Sequence, residues 1–139
     1  MKTLLAFAIC LLTTSGLAAQ QFKGATVTVV LENVLSDNGE ILAALSDEAT
    51  FLKGPGIKNL KQDAAKGAVV LTFENVTPGT YAVSVLHDLN ANGQMDFEAN
   101  GMPKEPYAMS GNSMEMGPPT FKPNAFEVGY EDLEIRIRF

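Results

Sequence analysis

Apolar and polar residues alternate at every second position through several separate stretches of this chain, and that period limits what it can become. The last stretch is the cleanest. Leu133, Ile135, Ile137 and Phe139 fall on one side, and Glu134, Arg136 and Arg138 on the other. Only a strand sends successive side chains to opposite faces, so the pattern predicts a half-buried β-strand. Residues 25–31 are rich in β-branched side chains and place Val27, Val29 and Leu31 on one face. Residues 41–45 read the same way. So do residues 68–73, where Val69, Leu71 and Phe73 alternate with Val70, Thr72 and Glu74. In residues 81–87, Tyr81, Val83, Val85 and His87 share a face. A shorter strand is expected over residues 125–128. Six or seven strands with turn chemistry between them predict an all-β fold, an antiparallel β-sandwich of immunoglobulin-like or transthyretin-like kind.

The turns carry their own signals. Ser36-Asp37-Asn38-Gly39 suits the positive φ of a tight hairpin and predicts one between the first two strands. Thr77-Pro78-Gly79 predicts a type II turn. Residues 46–67 read mainly as loop, with a short helical turn capped by Ser46 and with Phe51 and Leu52 tucked against the core. Pro103, Pro106, Pro118, Pro119 and Pro123 make a long helix over residues 100–124 untenable.

Residues 1–19 predict a cleaved signal peptide: a positive start at Lys2, an apolar run from Leu4 to Leu12, and small residues at Ala18 and Ala19. The run is shorter than the roughly 20 apolar residues that span a bilayer. A single domain over residues 20–139 is then expected in the periplasm or outside the cell, with no membrane span after cleavage. Cys10, the one cysteine, lies within the apolar run, so no disulfide is available to the domain. Net charge is −6 with no basic stripe, which argues against nucleic acid as a partner.

The sharpest chemical motif is Asp88-Leu89-Asn90-Ala91-Asn92-Gly93-Gln94-Met95-Asp96. Oxygen-bearing side chains stand at loop positions one, three, five and nine, with glycine at six. Ca²⁺ is a hard cation that collects about six to eight oxygens, and alternate residues of a tightly wound loop aim theirs at one centre. Asp88, Asn90, Asn92 and Asp96 are the expected side-chain ligands, with the Gln94 carbonyl as a backbone ligand. Glu98 and Glu105 are possible additions. The spacing resembles the first nine positions of an EF-hand loop, but the twelfth position is Ala99 and the flanks are strand-like. It is closer to the nine-residue calcium loops in hairpins of integrin-like propeller repeats. With two charged ligands out of four, affinity is expected in the extracellular range of about 10⁻⁴–10⁻³ M. The same residues also make plain hydrogen-bonded loops, because Asn and Asp bond their own backbone.

Several linked motifs then follow in order: Thr77-Pro78-Gly79-Thr80-Tyr81-Ala82-Val83, His87-Asp88-Leu89-Asn90-Ala91-Asn92-Gly93, Asp96, Gly101-Met102-Pro103-Lys104-Glu105-Pro106-Tyr107 and Ser110. Together they resemble the bacterial secreted family known as domain of unknown function 2141. The resemblance implies an exported β-sandwich and carries no established activity. The Pro-Gly-Tyr turn is also similar to that of transthyretin-like and carboxypeptidase-regulatory-like sandwich modules, a likeness of fold alone.

The expected function is therefore an exported binding or structural module. Pro103 and Pro106 stiffen residues 101–112 around Glu105 and are expected to hold Glu105 and Tyr107 toward the Asp88 loop. The Ca²⁺ loop orders that segment, which presents a surface to a protein or glycan partner. A metal-free interaction domain is the first alternative. An enzyme or copper carrier is the second, using His87 with Met95, Met102, Met109, Met114 and Met116, since thioethers suit Cu(I). His87 is the only histidine, no cysteine nucleophile is available, and Ser110 lacks a nucleophile-elbow pattern, so the chain is not expected to be an enzyme.

Overall fold

The computed structural model describes residues 23–112 and 116–139; the expected signal segment and Met114 lie outside them. Eight strands form in chain order: β1 (Ala25–Val34), β2 (Glu40–Ser46), β3 (Lys58–Asp63), β4 (Gly67–Val76), β5 (Gly79–Asp88), β6 (Tyr107–Met109), β7 (Phe126–Val128) and β8 (Leu133–Arg138). One sheet has the order β4-β1-β8. The other has the order β3-β2-β5-β6, with β7 also pairing β5. The alternation decides which side chains meet between them. Val27, Val29 and Leu31 of β1 are fully buried, as are Ile41 and Leu45 of β2 and Val83 of β5. Each such side chain contributes about 1.5–3 kcal/mol through burial. The all-β sandwich stands. Among the described residues, no helix is long and apolar enough to cross a membrane.

Strand positions follow the sequence pattern, but the pairing differs from it. The hairpin expected around residues 36–39 does not form, because β1 and β2 belong to different sheets. Gly39 does adopt a positive φ of 73°, in a turn that carries the chain across the sandwich. Asp37 and Gly39 anchor that turn to the β3–β4 connection: Asp37 Oδ1 accepts the Lys66 N–H at 2.7 Å, and the Gly39 carbonyl accepts the Ala64 N–H at 3.1 Å. β1 instead pairs antiparallel with β4 and parallel with β8, the one parallel pair among the described residues.

Other local expectations are also corrected. Gly79 has no positive φ, so residues 77–79 are not a type II turn. They form a tyrosine corner: the Tyr81 hydroxyl donates to the Thr77 carbonyl at 2.9 Å, across a glycine whose Cβ would sit 3.2 Å from the ring. The turn after β2 is capped by Asp47, not Ser46. Asp47 Oδ1 accepts the Thr50 N–H at 2.9 Å, and Thr50 Oγ1 accepts the Asp47 N–H at 3.2 Å. Phe51 is buried edge-on against Phe121, whereas Leu52 stands half exposed at a φ of 54°. Two strands beyond the six located in the sequence complete the second sheet. β3 is a polar edge inside the segment read as loop, and β6 is a three-residue strand just past Pro106.

Candidate functional site

β5 delivers the loop. Its inward face ends at His87, whose Nε2 lies 2.8 Å from the Asn38 carbonyl and whose ring stacks on Phe139 at 6.0 Å. The next residue, Asp88, is fully buried as well. It lies opposite Glu40 of β2, where the chain-crossing turn backs onto it. Gly39 is required there, because a Cβ would stand 2.0 Å from the Asp88 carbonyl oxygen.

Three carboxylates then organise residues 88–105. Asp88 accepts the N–H of Asn92 at 3.1 Å and of Gly93 at 2.7 Å, which winds the loop over the buried carboxylate. Ala91 and Gly93 take positive φ values of 56° and 83° to make that winding. Asn90 Oδ1 accepts the Asn92 N–H at 3.2 Å, and Asn92 Oδ1 accepts the Gln94 N–H at 3.0 Å. The two amide groups then face Asp96: Asn90 Nδ2 donates to Oδ2 at 2.6 Å and Asn92 Nδ2 to Oδ1 at 3.0 Å. Asp88, Asn90, Asn92 and Asp96 are thus interlocked by hydrogen bonds, with Asn90 and Asn92 at the exposed rim.

Glu105, 6% exposed, is the third carboxylate. It closes the loop from outside, accepting the Leu89 N–H at 2.9 Å and the Asp96 N–H at 3.1 Å. Pro106 follows as part of the same brace, its carbonyl accepting the His87 N–H at 2.9 Å. Lys104 N–H donates to the Asp96 carbonyl at 2.9 Å, and Phe97 bridges to Pro103. The segment read as a stiff Pro-Glu-Pro loop is therefore fastened directly to the 88–96 turn. Glu98 is exposed and uses its backbone to turn residues 98–102.

No Lys or Arg side chain forms an ion pair with Asp88, Asp96 or Glu105 among the described residues. Lys61, across the sheet, is bonded to Glu40 at 2.6 Å. That hydrogen bond chiefly raises its ammonium pKa, with a smaller through-space contribution from Asp88. Nor do three His, Cys, Asp or Glu side chains come together as a ready metal centre among the described residues. Any cation in this loop must therefore draw on the asparagine and backbone oxygens as well.

The brace shapes a second feature absent from the sequence reading. The outer face of the second sheet is a trough of about 880 Å³. Leu42, Ala44, Ser84 and Leu86 floor it; Gln94, Met95 and Phe97 close one end, and Leu52 and Pro55 the other. Phe97 is 57% exposed, and Tyr107 joins the lining from β6. Met95 and Met109 also face this trough, while His87 points into the core from the opposite face of the sheet. Among the described residues, the structure does not bring His87 together with Met95 or Met109. Ser110 is structural: its hydroxyl accepts the Val83 N–H at 3.0 Å and donates to the Asn124 carbonyl.

Two structural residues escaped the sequence reading. In the sequence Gly39 signals only a hairpin. Asn112 carried no signal at all, yet its side chain acts as a stand-in peptide on β8. Its Nδ2 donates to the Arg136 carbonyl at 2.9 Å, and its Oδ1 accepts the Arg138 N–H at 3.0 Å.

A family model described as an uncharacterised protein conserved in bacteria, DUF2141, matches residues 29–136. No curated protein and no solved structure matches the chain.

Proposed function

The chain belongs to the DUF2141 family, and on that premise we propose that it is an exported binding module. In this reading a Ca²⁺-holding loop at residues 88–96 keeps one end of an outer-face trough in shape for a protein or glycan partner. The observation that carries this reading is the set of three carboxylates, two of them buried, that share one loop without a cationic side chain. Buried charge calls for compensation. Here the neutral donors supply six hydrogen bonds, from Leu89, Asn92, Gly93 and Asp96 N–H and from the Asn90 and Asn92 amides.

The residues suit Ca²⁺ on donor chemistry. A carboxylate has about four lone-pair directions and an amide oxygen two, so each of the four side chains keeps acceptor capacity after these bonds. Asp88, Asn90, Asn92 and Asp96 would hold the ion with the Gln94 carbonyl, and the ion would displace the two asparagine NH₂ groups that now face Asp96. Its contribution would be structural. The ends of the loop are tied to Glu105, so tightening the loop tightens the wall that presents Phe97 and Met95.

At a Ca²⁺ concentration between ten and a hundred times the Kd, mass action predicts about 1.4–2.7 kcal/mol of added stability. Thermal melting of the purified chain with 10 mM CaCl₂, against EDTA, should show an upward shift of several degrees, and Asp88→Ala should abolish it. A melting curve indifferent to Ca²⁺ would remove the metal. The second reading, a metal-free interaction domain using the same trough, would then stand; it is favoured by the protein donors already present on every carboxylate.

A further inference from the structure

Asparagine is a chemically labile residue, and when glycine follows it no side chain shields the next backbone nitrogen from its amide carbon. Three such pairs occur here: Asn38-Gly39, Asn92-Gly93 and Asn100-Gly101. All three asparagines are exposed, so access to water does not separate them. Their hydrogen bonds do. The Gly93 N–H is held by Asp88 Oδ2 at 2.7 Å, while Asn92 Oδ1 accepts the Gln94 N–H and Asn92 Nδ2 donates to Asp96, both at 3.0 Å. The Gly101 N–H donates to the Glu98 carbonyl at 2.8 Å, and Asn100 Oδ1 accepts the Met102 N–H at 3.1 Å. At the third pair, neither the Gly39 N–H nor the Asn38 side-chain amide makes a hydrogen bond among the described residues. Asn38 is fixed through its backbone alone. Its N–H donates to Ser36 Oγ at 3.0 Å, and its carbonyl accepts from His87 Nε2 at 2.8 Å.

We propose that Asn38 is a site of spontaneous deamidation in the folded chain, and that Asn92 and Asn100 are protected by the same bonds that shape their turns. The Gly39 nitrogen loses its proton to base and attacks the side-chain carbonyl carbon of Asn38. The new C–N bond closes a five-membered imide, and the side-chain nitrogen leaves as ammonia, taking up a proton. Water then breaks one of the two ring bonds to the Gly39 nitrogen. Breaking the new bond leaves aspartate; breaking the original peptide bond leaves isoaspartate, with the chain rerouted through the side chain. No reactant beyond water and base is needed. The reacting atoms must approach to about 3–3.5 Å in line, and at Asn38 alone they can do so without first opening a hydrogen bond. Each bond that must open slows the step on the order of tenfold. The isoaspartyl product adds one carbon to the backbone of a turn that has no room for it, since even a Cβ on Gly39 would stand 2.0 Å from the Asp88 carbonyl oxygen. It also converts the carbonyl that faces His87 into a carboxylate. The turn, and the start of the Asp88 loop packed on it, then loosens as the protein ages. None of this depends on what the loop or the trough binds.

The test is to hold the full purified chain in mildly alkaline buffer, once folded and once in guanidinium chloride, and to map it over time by proteolysis and mass spectrometry. In the folded chain the expected result is a one-dalton gain and isoaspartate at residue 38, with Asn92 and Asn100 converting at least about tenfold more slowly. In denaturant the three sites should convert at similar rates, because the protecting bonds are gone. The isoaspartyl form, separated by its added negative charge, should melt below the unmodified chain. Asn92 or Asn100 converting as fast as Asn38 in the folded chain, or Asn38 slowed by folding as much as Asn92, would overturn the site. An isoaspartyl form that melts with the unmodified chain would overturn its effect on the turn.

Discussion

The two ends of the outer trough are built on opposite plans. One end, residues 88–105, is bound from within by Asp88 and from without by Glu105, both buried, each accepting two backbone N–H groups. The other, residues 47–57, depends on a half-buried Asp47–Thr50 exchange and on Leu52 and Gly54 in positive φ. The hydrogen-bond types are similar, but the setting differs. A fully buried carboxylate has no water to replace a lost partner, and one that still reaches solvent does. The difference predicts a stiff end and a soft end on one trough.

That contrast can be broken most severely at Gly39. Gly39→Ala places a methyl group against the Asp88 carbonyl in a backbone region unfavourable to alanine, so a loss of about 3 kcal/mol or more is expected in urea unfolding. Glu105→Gln comes next. It keeps one acceptor oxygen and loses the other, so either the Leu89 or the Asp96 N–H goes unpaired, at about 1–2 kcal/mol. Amide hydrogen exchange should speed up at those two positions and stay unchanged at Thr50; equal acceleration at both ends would refute the stiff–soft distinction. Asp47→Ala should have the smallest effect, a barely resolved shift in melting temperature. Its carboxyl pKa is held below the ordinary value of 3.8, first by the Thr50 hydroxyl and then by the Thr50 N–H. The stabilisation is therefore complete above the ordinary carboxylate pKa and fades as pH falls through the lowered one. The small difference between wild type and Asp47→Ala should be present at neutral pH and vanish in strong acid.

Strand positions were legible because alternation is a local property, visible wherever one face is buried. Ala25, Val27, Val29 and Leu31 reveal β1 unaided, and so do Leu133, Ile135 and Ile137 for β8. Pairing was not legible. Asn38-Gly39 has the chemistry of a hairpin, but the same positive φ serves a chain crossing between sheets, and only the packing against Asp88 distinguishes them. β3 escaped notice because Lys58-Asn59-Leu60-Lys61-Gln62-Asp63 sits at an edge where little is buried. At the site, the oxygen spacing of residues 88–96 was plain, as was the stiffness around Glu105. That Glu105 would hold two N–H groups across 16 and 9 residues of chain is a tertiary fact with no local trace.

The parallel pairing of β1 with β8 has a mechanical consequence. Six residue pairs, from Val27–Leu133 to Glu32–Arg138, run in the same direction. Tension drawn through the start of β1 and the end of β8 therefore slides one strand along the other and loads that whole ladder together, instead of peeling it bond by bond. Tethered by those two points, the sandwich would yield late and abruptly.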